Sequence, residues 1–219
     1  MENLKNILPN FEIEQKYSGR VVAGIDEAGR GPIAGPVVAA ITYIALDQYE
    51  DPEILMVNDS KKISPKKRKV LFDILQSKIK FGVGVVDQKT IDEINILQAT
   101  KLAMFRAYQD FSAKYDVKID VALVDGNFNP FTAFKNSLKE VLAVVKGDQK
   151  SISIASASII AKEWRDAIMM KLHGQFPEYS WDKNSGYPTK LHIEKINEYG
   201  ITEHHRQSFA PVKKVIESS

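Results

Sequence analysis

The sequence predicts an α/β domain with a mixed β-sheet and a helical C-terminal region. Short apolar segments rich in β-branched residues recur along the 219 residues, and each fits a buried strand. The first three predicted strands favour hairpins, whereas the later strands are separated by helices, which favours parallel crossovers. Apolar residues make up 44% of the chain, enough for a buried core, and no fixed-period repeat is present.

Composition excludes several classes of protein. The chain has no cysteine, which excludes disulfides, thiolate metal sites and cysteine-based catalysis. The longest uncharged stretch, residues 31–46, contains two Gly and two Pro, so we expect no membrane span. The N-terminus lacks the apolar core of a signal peptide, which favours a cytoplasmic protein. A net charge of +2 leaves any nucleic-acid role to local charge distribution.

The first half of the chain is predicted to form an arm followed by three strands and a helix. We expect a short helix or arm over residues 1–17, strands over 21–26, 37–45 and 81–86, and a glycine-rich turn over 29–32. Thr90 and Glu93 form a capping-box pattern that predicts a helix from there to about Tyr115. Its predicted apolar face comprises Ile91, Ile94, Leu97, Leu102 and Phe105.

The second half alternates strands with helices. Strands are expected over 119–124 and 142–145, a long helix over 154–173, and a last helix over 191–198 that Gly200 closes. We therefore expect a core over residues 1–173, with residues 174–219 forming a helical region packed on it.

Carboxylates follow three of the predicted strands. Asp26 and Glu27, Asp125, and Asp148 each lie just past an apolar strand, with a glycine close by. Acidic residues after strands are commonly ordinary turn residues. A shared metal site becomes the competing interpretation if the sheet order makes the three strand ends neighbours, because ligands bind at strand ends in open α/β sheets.

Such a cluster would suit phosphodiester hydrolysis. Oxygen ligands alone select Mg²⁺ or Mn²⁺ over zinc. Four carboxylates holding two cations could promote attack by water and stabilise the leaving oxygen.

Two short motifs have a functional and a structural interpretation. Gly29-Arg30-Gly31 is either a loop whose amides approach a ligand or a tight turn between strands. Tyr187, in a Gly/Pro-rich loop, either stacks on a sugar or base or anchors the loop. Trp181 has the same two interpretations, and for it we favour a role in packing the domain.

Basic residues cluster over 60–69, with six Lys or Arg and no acid. Ser64 and Pro65 fit the N-cap and first position of a helix. A basic helix start can bind phosphates, but a solvated helix face is an equal alternative. Lys61, directly after Asp59-Ser60, is the lysine that we place at a site.

Among the histidines none has metal-ligand spacing, and His205-Arg206 is either structural or a phosphate contact.

With these residues in view, the chain resembles bacterial type 2 ribonuclease H (ribonuclease HII) over most of its length. The segments that carry the resemblance, in the family's order, are VVAGIDEAGRGPIAGPVVAA (21–40), NDSKKIS (58–64), IDEINILQATKLAM (91–104), LVDGN (123–127), VVKGDQKSISIASASIIAK (144–162), GYPTK (186–190) and HHRQSF (204–209). The stretch between Asp125 and Asp148 is a few residues longer than usual and contains Phe128, Phe131 and Phe134.

The resemblance implies a ribonuclease H-like mixed five-stranded sheet flanked by helices. The family's catalytic acids fall on Asp26, Glu27, Asp125 and Asp148, which would bind two Mg²⁺ or Mn²⁺ ions. Its substrate-binding residues fall on Gly29, Arg30 and Gly31, on Lys61 and on Tyr187. The first three would recognise a ribonucleotide 2′-OH through backbone groups, Lys61 would lie near a phosphate, and Tyr187 would stack on the next deoxyribose.

The implied activity is cleavage of RNA in RNA–DNA hybrids and cleavage 5′ to ribonucleotides in duplex DNA, leaving 3′-OH and 5′-phosphate ends. We expect a monomer without a membrane partner. Type 3 ribonuclease H has an extra N-terminal domain, whereas the first strand predicted here begins at Val21, which favours type 2. A non-cleaving binding module and a nucleotide-dependent enzyme are the alternatives. Pro32 and Pro36 oppose the dinucleotide loop that the latter requires.

Overall fold

The computed structural model describes residues 8–135, 138 and 140–218. It contains one five-stranded mixed sheet, as the sequence predicts. The strands are β1 (Val22–Ala28), β2 (Val37–Tyr43), β3 (Lys80–Val86), β4 (Val121–Asp125) and β5 (Glu140–Val144). The α-helices are α1 (Glu12–Gln15), α2 (Pro65–Lys78), α3 (Gln88–Lys114), α4 (Ile152–Gln175), α5 (Trp181–Asn184), α6 (Lys190–Tyr199) and α7 (Ala210–Ser218).

The sheet order is β3-β2-β1-β4-β5. Strands β1, β2 and β3 pair antiparallel, whereas β4 pairs parallel with both β1 and β5. The predicted hairpin is confirmed for β1 and β2, whereas β2 and β3 pair antiparallel with α2 between them and so do not form a hairpin. The later parallel pairings are confirmed. Because β1, β4 and β5 run the same way side by side, their carboxyl ends meet at one edge of the sheet.

Helices cover both faces of the sheet. Helix α3 packs on one face through Ala103, Ala107 and Phe111, which are fully buried. Helix α4 covers the other face, and its first turn approaches β1 so closely that a Cβ atom on Gly24 would lie 2.2 Å from the Ser153 carbonyl carbon. A larger residue at Gly24 would push α4 away from β1, where two of the candidate acids lie.

Helix α3 differs from its prediction. Its N-cap is Asp87, whose side chain accepts the Thr90 N–H at 2.8 Å, so Thr90 lies inside the helix and its predicted capping role is wrong. Asn95 has a left-handed φ of 65° and kinks the helix. The kink shifts the register of the apolar face, and Leu97, predicted to be buried, is 39% exposed.

The connection from β4 to β5 also differs from the alternating order expected. In its described part, residues 126–135 and 138, it forms turns rather than an α-helix. Phe134 stacks on Phe105 of α3 with ring centroids 4.2 Å apart, and Phe131 packs edge-on against Tyr108. The long stretch between the two strands therefore extends the core on the α3 face.

The C-terminal helices pack around a separate apolar cluster comprising Ile33, Ala34, Met169, Tyr179, Trp181, Ile196 and Val212. Trp181 is fully buried, which confirms its packing role. Ile33 and Ala34 belong to the loop after β1, so the C-terminal helices hold that loop in place. Among the described residues, no helix has the length and apolar character needed to cross a bilayer.

At the N-terminus, α1 supports the start of α4. The buried Glu14 side chain accepts hydrogen bonds from the Ser151 hydroxyl at 2.6 Å and the Ser153 N–H at 3.1 Å. The predicted helix or arm over 1–17 is thus a short helix where it is described, and its first seven residues lie outside the described part.

Candidate active site

The structure brings the four candidate acids to the edge where β1, β4 and β5 end. Asp125 is the last residue of β4, and Asp148 lies in the 3₁₀ turn Gly147–Gln149 that follows β5. Asp26 and Glu27 lie within β1 rather than after it, because β1 continues its pairing with β2 to Ala28. The condition stated for a shared site, that the three strand ends be neighbours, is met by the sheet order.

Asp26 is the most deeply buried of the four, at 2% exposed. Its Oδ1 accepts the Glu27 N–H at 2.7 Å. Its Oδ2 is buried and has no hydrogen-bond partner in the described part of the chain. Burial, and then the charges of Glu27 and Asp125, hold the pKa of Asp26 well above its usual value. The nearby Ser158 hydroxyl, which pairs with that of Ser60 at 2.9 Å, lowers the pKa of Asp26 and so opposes part of this rise.

Glu27 is in a similar position. Its Oε1 accepts from Arg30 Nη1 at 3.2 Å, whereas its Oε2 is buried and has no partner among the described residues. Burial raises the pKa of Glu27, and the Arg30 guanidinium opposes that rise. Two neighbouring carboxylates therefore each present one buried oxygen that accepts no hydrogen bond from the described residues.

Asp125 and Asp148 are held by β4, β5 and the turn between β5 and α4. Asp125 Oδ1 accepts the Gly147 N–H at 2.7 Å, which ties the end of β4 to the turn carrying Asp148. Burial, and then the charge of Asp125, raise the pKa of Asp148, while Lys61 lowers it.

Lys61 lies where the sequence predicted a basic residue near the site. Its Nζ is 3.4 Å from Asp148 Oδ2, although 76% of its side chain is exposed. Partial burial lowers the pKa of Lys61, but the Asp148 and Asp26 carboxylates outweigh it, so the net shift is upward. The backbone N–H of Lys61 is fixed by Asp59 Oδ1 at 2.8 Å.

The other basic residues of the 60–69 segment have different roles. Ser64 and Pro65 begin α2 as predicted, with Ser64 Oγ accepting the Lys67 N–H. Arg68 turns inward and pairs with Glu163 at 2.5 Å and Asp166 at 3.2 Å on α4. Arg68 is therefore structural, and the N-terminal lysines of α2 remain on an exposed helix face.

The site can be tested for its fit to divalent cations. Within residues 8–135, 138 and 140–218, no three His, Asp or Glu side chains already form a ligating group. One oxygen of each of the four carboxylates is held by an amide or a cationic group: Asp26 by the Glu27 N–H, Glu27 by Arg30, Asp125 by the Gly147 N–H and Asp148 by Lys61. The unpartnered buried oxygens of Asp26 and Glu27 nevertheless fit oxygen-preferring cations such as Mg²⁺ or Mn²⁺, which would relieve the repulsion between the carboxylates.

A cavity opens beside these acids. It is lined by Glu27, Ala28, Gly29, Arg30, Gly31, Ser60, Lys61, Ser158, Lys162, Arg165 and Tyr187. All five residues predicted to bind substrate line it. Tyr187 is 47% exposed, and a Cβ atom on Gly31 would lie only 3.4 Å from its Cε1. The loop Gly29–Gly31, here called the glycine loop, and Tyr187 therefore form adjacent walls of one cavity.

Sequence reasoning missed Arg165, which lines this cavity, and left the role of Arg206 open. Arg165 on α4 is buried and donates to backbone carbonyls of the loop after β1. Arg206 does the same, so of the two interpretations given to His205-Arg206 the structural one holds. The sequence does not predict that Arg165 is buried, because an arginine within a long helix is more commonly an exposed surface residue.

The fold defines a ribonuclease H-like protein. It superimposes on the crystal structure of ribonuclease H2 from Pyrococcus horikoshii OT3 with a TM-score of 0.76 and 29% identity, covering 90% of this chain and 97% of that one. It also matches the structure of Bst-RNase HIII in complex with Mn²⁺, with a TM-score of 0.78 and 19% identity over 96% of this chain and 73% of that chain, a likeness of fold.

Sequence comparison gives the family. Residues 23–212 match the ribonuclease HII family. The ribonuclease HII of Wolbachia sp. subsp. Brugia malayi (strain TRS) is 48% identical over 206 residues, which cover 93% of this chain and 94% of that protein. The chain belongs to the ribonuclease HII family of metal-dependent endoribonucleases, which act on RNA–DNA hybrids.

Proposed function

We propose that this protein hydrolyses the RNA strand of RNA–DNA hybrids and cuts duplex DNA on the 5′ side of an embedded ribonucleotide, leaving 3′-OH and 5′-phosphate ends. The proposed catalytic residues and ligands of two Mg²⁺ or Mn²⁺ ions are Asp26, Glu27, Asp125 and Asp148. The observation that carries the proposal is the pair of buried, unpartnered carboxylate oxygens on Asp26 and Glu27. Leaving such oxygens without a partner is costly unless a cation completes them.

When bound, the two cations would promote attack by water on the phosphorus and neutralise charge on the leaving 3′-oxygen. The chain's own contribution is to hold the carboxylates in place. Asp26 is fixed by the Glu27 N–H, and Asp125 by the Gly147 N–H. These bonds leave the second oxygen of each carboxylate for a ligand.

Lys61 would bind a phosphate oxygen of the cut strand. Its side chain is largely exposed and its ammonium lies 3.4 Å from Asp148, so a phosphate near that carboxylate would be within its reach. The contact would be electrostatic and independent of base sequence.

Gly29, Arg30 and Gly31 would recognise the 2′-OH through backbone groups, and Tyr187 would stack on the following deoxyribose. The 2′-OH is the group that distinguishes RNA from DNA at a given position. The closeness of Gly31 to Tyr187, whose Cε1 would lie 3.4 Å from a Cβ atom at position 31, supports this division, because successive nucleotides of one strand would meet the two residues in turn. Requiring a hydroxyl on one sugar and stacking on the next selects an RNA-to-DNA junction.

All the proposed residues lie on one chain, which supports a monomer as the active form. Its proposed substrates are duplexes of the bacterial genome, so we propose a cytoplasmic location.

The test uses an end-labelled DNA duplex with one ribonucleotide, in Mg²⁺ and then in Mn²⁺, beside an all-DNA duplex. We expect a single metal-dependent cut 5′ to the ribonucleotide and no cut in the all-DNA duplex. Asp125→Asn should lose this cleavage while keeping its fold by circular dichroism, because it removes charge from the site rather than apolar core. Full activity in that variant would refute the ligand assignment. Tight binding without cleavage in either metal would favour the binding-module alternative.

A further inference from the structure

Two buried arginines support the cavity that the proposed function assigns to the ribonucleotide, and one of them, Arg165, is among the residues that line it. Arg165 is 1% exposed and Arg206 is fully buried. All six hydrogen bonds that the two guanidinium groups make in the described part of the chain go to backbone carbonyl oxygens. Burying a cation without a carboxylate partner is costly, so this arrangement calls for a reason beyond stability.

Arg206 sets the peptide planes of the glycine loop. Its Nη2 donates to Gly29 O at 2.6 Å, its Nη1 to Arg30 O at 3.1 Å and its Nε to Gly35 O at 2.9 Å. In a trans peptide the carbonyl and the following N–H point in opposite directions. Since the Gly29 and Arg30 carbonyls point at Arg206, the N–H groups of Arg30 and Gly31 point away from it.

Arg165 joins this loop to the segment that carries Tyr187. Its Nε and Nη2 donate to Pro36 O at 3.0 Å and Ala34 O at 3.1 Å, and its Nη1 donates to Ser185 O at 2.9 Å. The guanidinium thus holds the loop after β1 and the segment before Tyr187 at a fixed separation. An arginine can do this because its donors form a rigid planar fork.

The Arg165 side chain also packs directly against the backbone of the loop at Gly29. Gly29 has a φ of +96°, and a Cβ atom there would lie 2.1 Å from Arg165 Nε. Gly29 therefore rests against the arginine with no room for a side chain.

We propose that Arg165 and Arg206 are positioning residues that determine specificity. Together they aim the amides of the Gly29–Gly31 loop and fix the gap between that loop and Tyr187, so that the cavity selects a ribonucleotide followed by a deoxyribonucleotide. This inference rests on the proposed function, because it assigns to the two arginines the geometry on which 2′-OH recognition depends. Neither arginine is placed in contact with the reacting phosphate.

The test is the ratio of two dissociation constants, measured without divalent metal so that no cleavage occurs. The ligands are an all-DNA duplex and the same duplex with one ribonucleotide. In the wild type we expect tighter binding of the ribonucleotide duplex. In Arg206→Lys and Arg165→Lys the preference should fall by on the order of ten-fold or more, because small displacements of positioned groups are costly in recognition and catalysis. A lysine keeps the charge but not the fork.

Arg68→Lys is the matched control. Arg68 is also buried, at 9% exposed, but it pairs with Glu163 and Asp166 and donates to Ser60 O at 3.4 Å, and among the described residues it makes no hydrogen bond to the Gly29–Gly31 loop or to Ser185. It should keep the wild-type preference even if its melting temperature falls. A role in stability alone would lower the folded fraction for both ligands equally and leave the ratio unchanged.

Chemical rescue covers the case in which a lysine variant folds poorly. Arg206→Ala leaves a guanidinium-sized space beside three carbonyls, and added ethylguanidinium should restore the preference, whereas ethylammonium should not. An unchanged ratio in both lysine variants, or no rescue by ethylguanidinium in folded Arg206→Ala, would overturn the inference. A wild type with no preference and no cleavage at the ribonucleotide would instead overturn the proposed function.

Discussion

Asp26→Asn separates the charge of the proposed metal site from its shape. The substitution is nearly isosteric and keeps an oxygen that can accept the Glu27 N–H, which Asp26 Oδ1 accepts at 2.7 Å. What it removes is the negative charge of a buried carboxylate whose Oδ2 has no hydrogen-bond partner in the part of the chain that the structure describes. Without metal, the variant should therefore be more stable than the wild type at neutral pH.

The sign of this change in stability follows from the direction in which folding shifts the pKa of Asp26. Burial and the charges of Glu27 and Asp125 raise the pKa of Asp26 above its ordinary value of 3.8. A carboxyl group whose pKa is raised on folding contributes stability below its unfolded pKa and loses it as pH rises through the folded pKa. An uncompensated buried charge costs at least as much as an unsatisfied polar group, about 1–3 kcal/mol, and Asp26→Asn removes the charge although its amide nitrogen still occupies the place of Oδ2. At about 2–4 °C per kcal/mol, this corresponds to a melting temperature higher by roughly 2–12 °C.

The assay is thermal unfolding in metal-free buffer and again with Mn²⁺, followed by cleavage of the single-ribonucleotide duplex. A cation present at about 100 times its Kd should stabilise the wild type by about 2.7 kcal/mol. Asp26→Asn should gain much less from Mn²⁺. Its cleavage rate should fall by more than the roughly 10- to 100-fold cost of losing a group that merely supports a metal ligand.

Glu14→Gln is the control for this experiment. Glu14 is also a buried carboxylate with one unpartnered oxygen, but it lies at the start of α4 against Ser151. It should keep the full Mn²⁺ stabilisation. The reasoning would be refuted if Asp26→Asn kept the same Mn²⁺ shift as the wild type, or if it were less stable than the wild type in metal-free buffer at pH 7.

Three further predictions concern substrate contacts and pH. Tyr187→Ala should reduce kcat/KM at single ribonucleotides more than on long hybrids, since stacking is worth about 1–3 kcal/mol; equal losses would contradict the junction role. Binding should weaken as salt rises, and Lys61→Ala should reduce the slope of log K against log salt by about 1, with an unchanged slope contradicting a phosphate contact. Burial lowers the pKa of His205 to about 3, so stability is lost as pH falls below the ordinary value of 6.5. By urea unfolding this histidine should cost about 1.6 kcal/mol between pH 6.5 and 5, because the unfolded imidazole is only half protonated at pH 6.5 and the full slope of about 1.36 kcal/mol per pH unit applies below it. His205→Asn should remove this share of the dependence and leave the share of His192 and His204, whose pKa values burial also lowers.

Much of the fold could be predicted because its signals are local. The five strands are short apolar runs that a local pattern can find. Their pairing directions do not follow from the intervening helices alone: β2 and β3 pair antiparallel although α2 lies between them, and β4 and β5 pair parallel although the described part of their connection contains no α-helix. The start of α2 is set by Ser64 and Pro65, which act within one helical turn. The start of α3 was wrong because two candidate caps, Asp87 and Thr90, lie three residues apart, and only the folded backbone shows which side chain accepts.

The domain division at residue 173 stays a prediction, as do the roles of the four carboxylates and of the substrate-binding residues. What the structure adds to them is proximity. The sequence placed acids after three strands but could not order the strands in the sheet. The order β3-β2-β1-β4-β5 brings those three strand ends together.

By itself, the sequence determined the residue types available for chemistry, the elements that carry them and the family to which the chain belongs. These properties depend on side-chain composition and on contacts close in the chain. Only the tertiary structure decided which oxygens of Asp26 and Glu27 are left unpartnered, and which loops Arg165 and Arg206 join. Arg206 and Gly29 are far apart in sequence, and no local pattern specifies contacts that arise only when the C-terminal helices pack on the loop after β1.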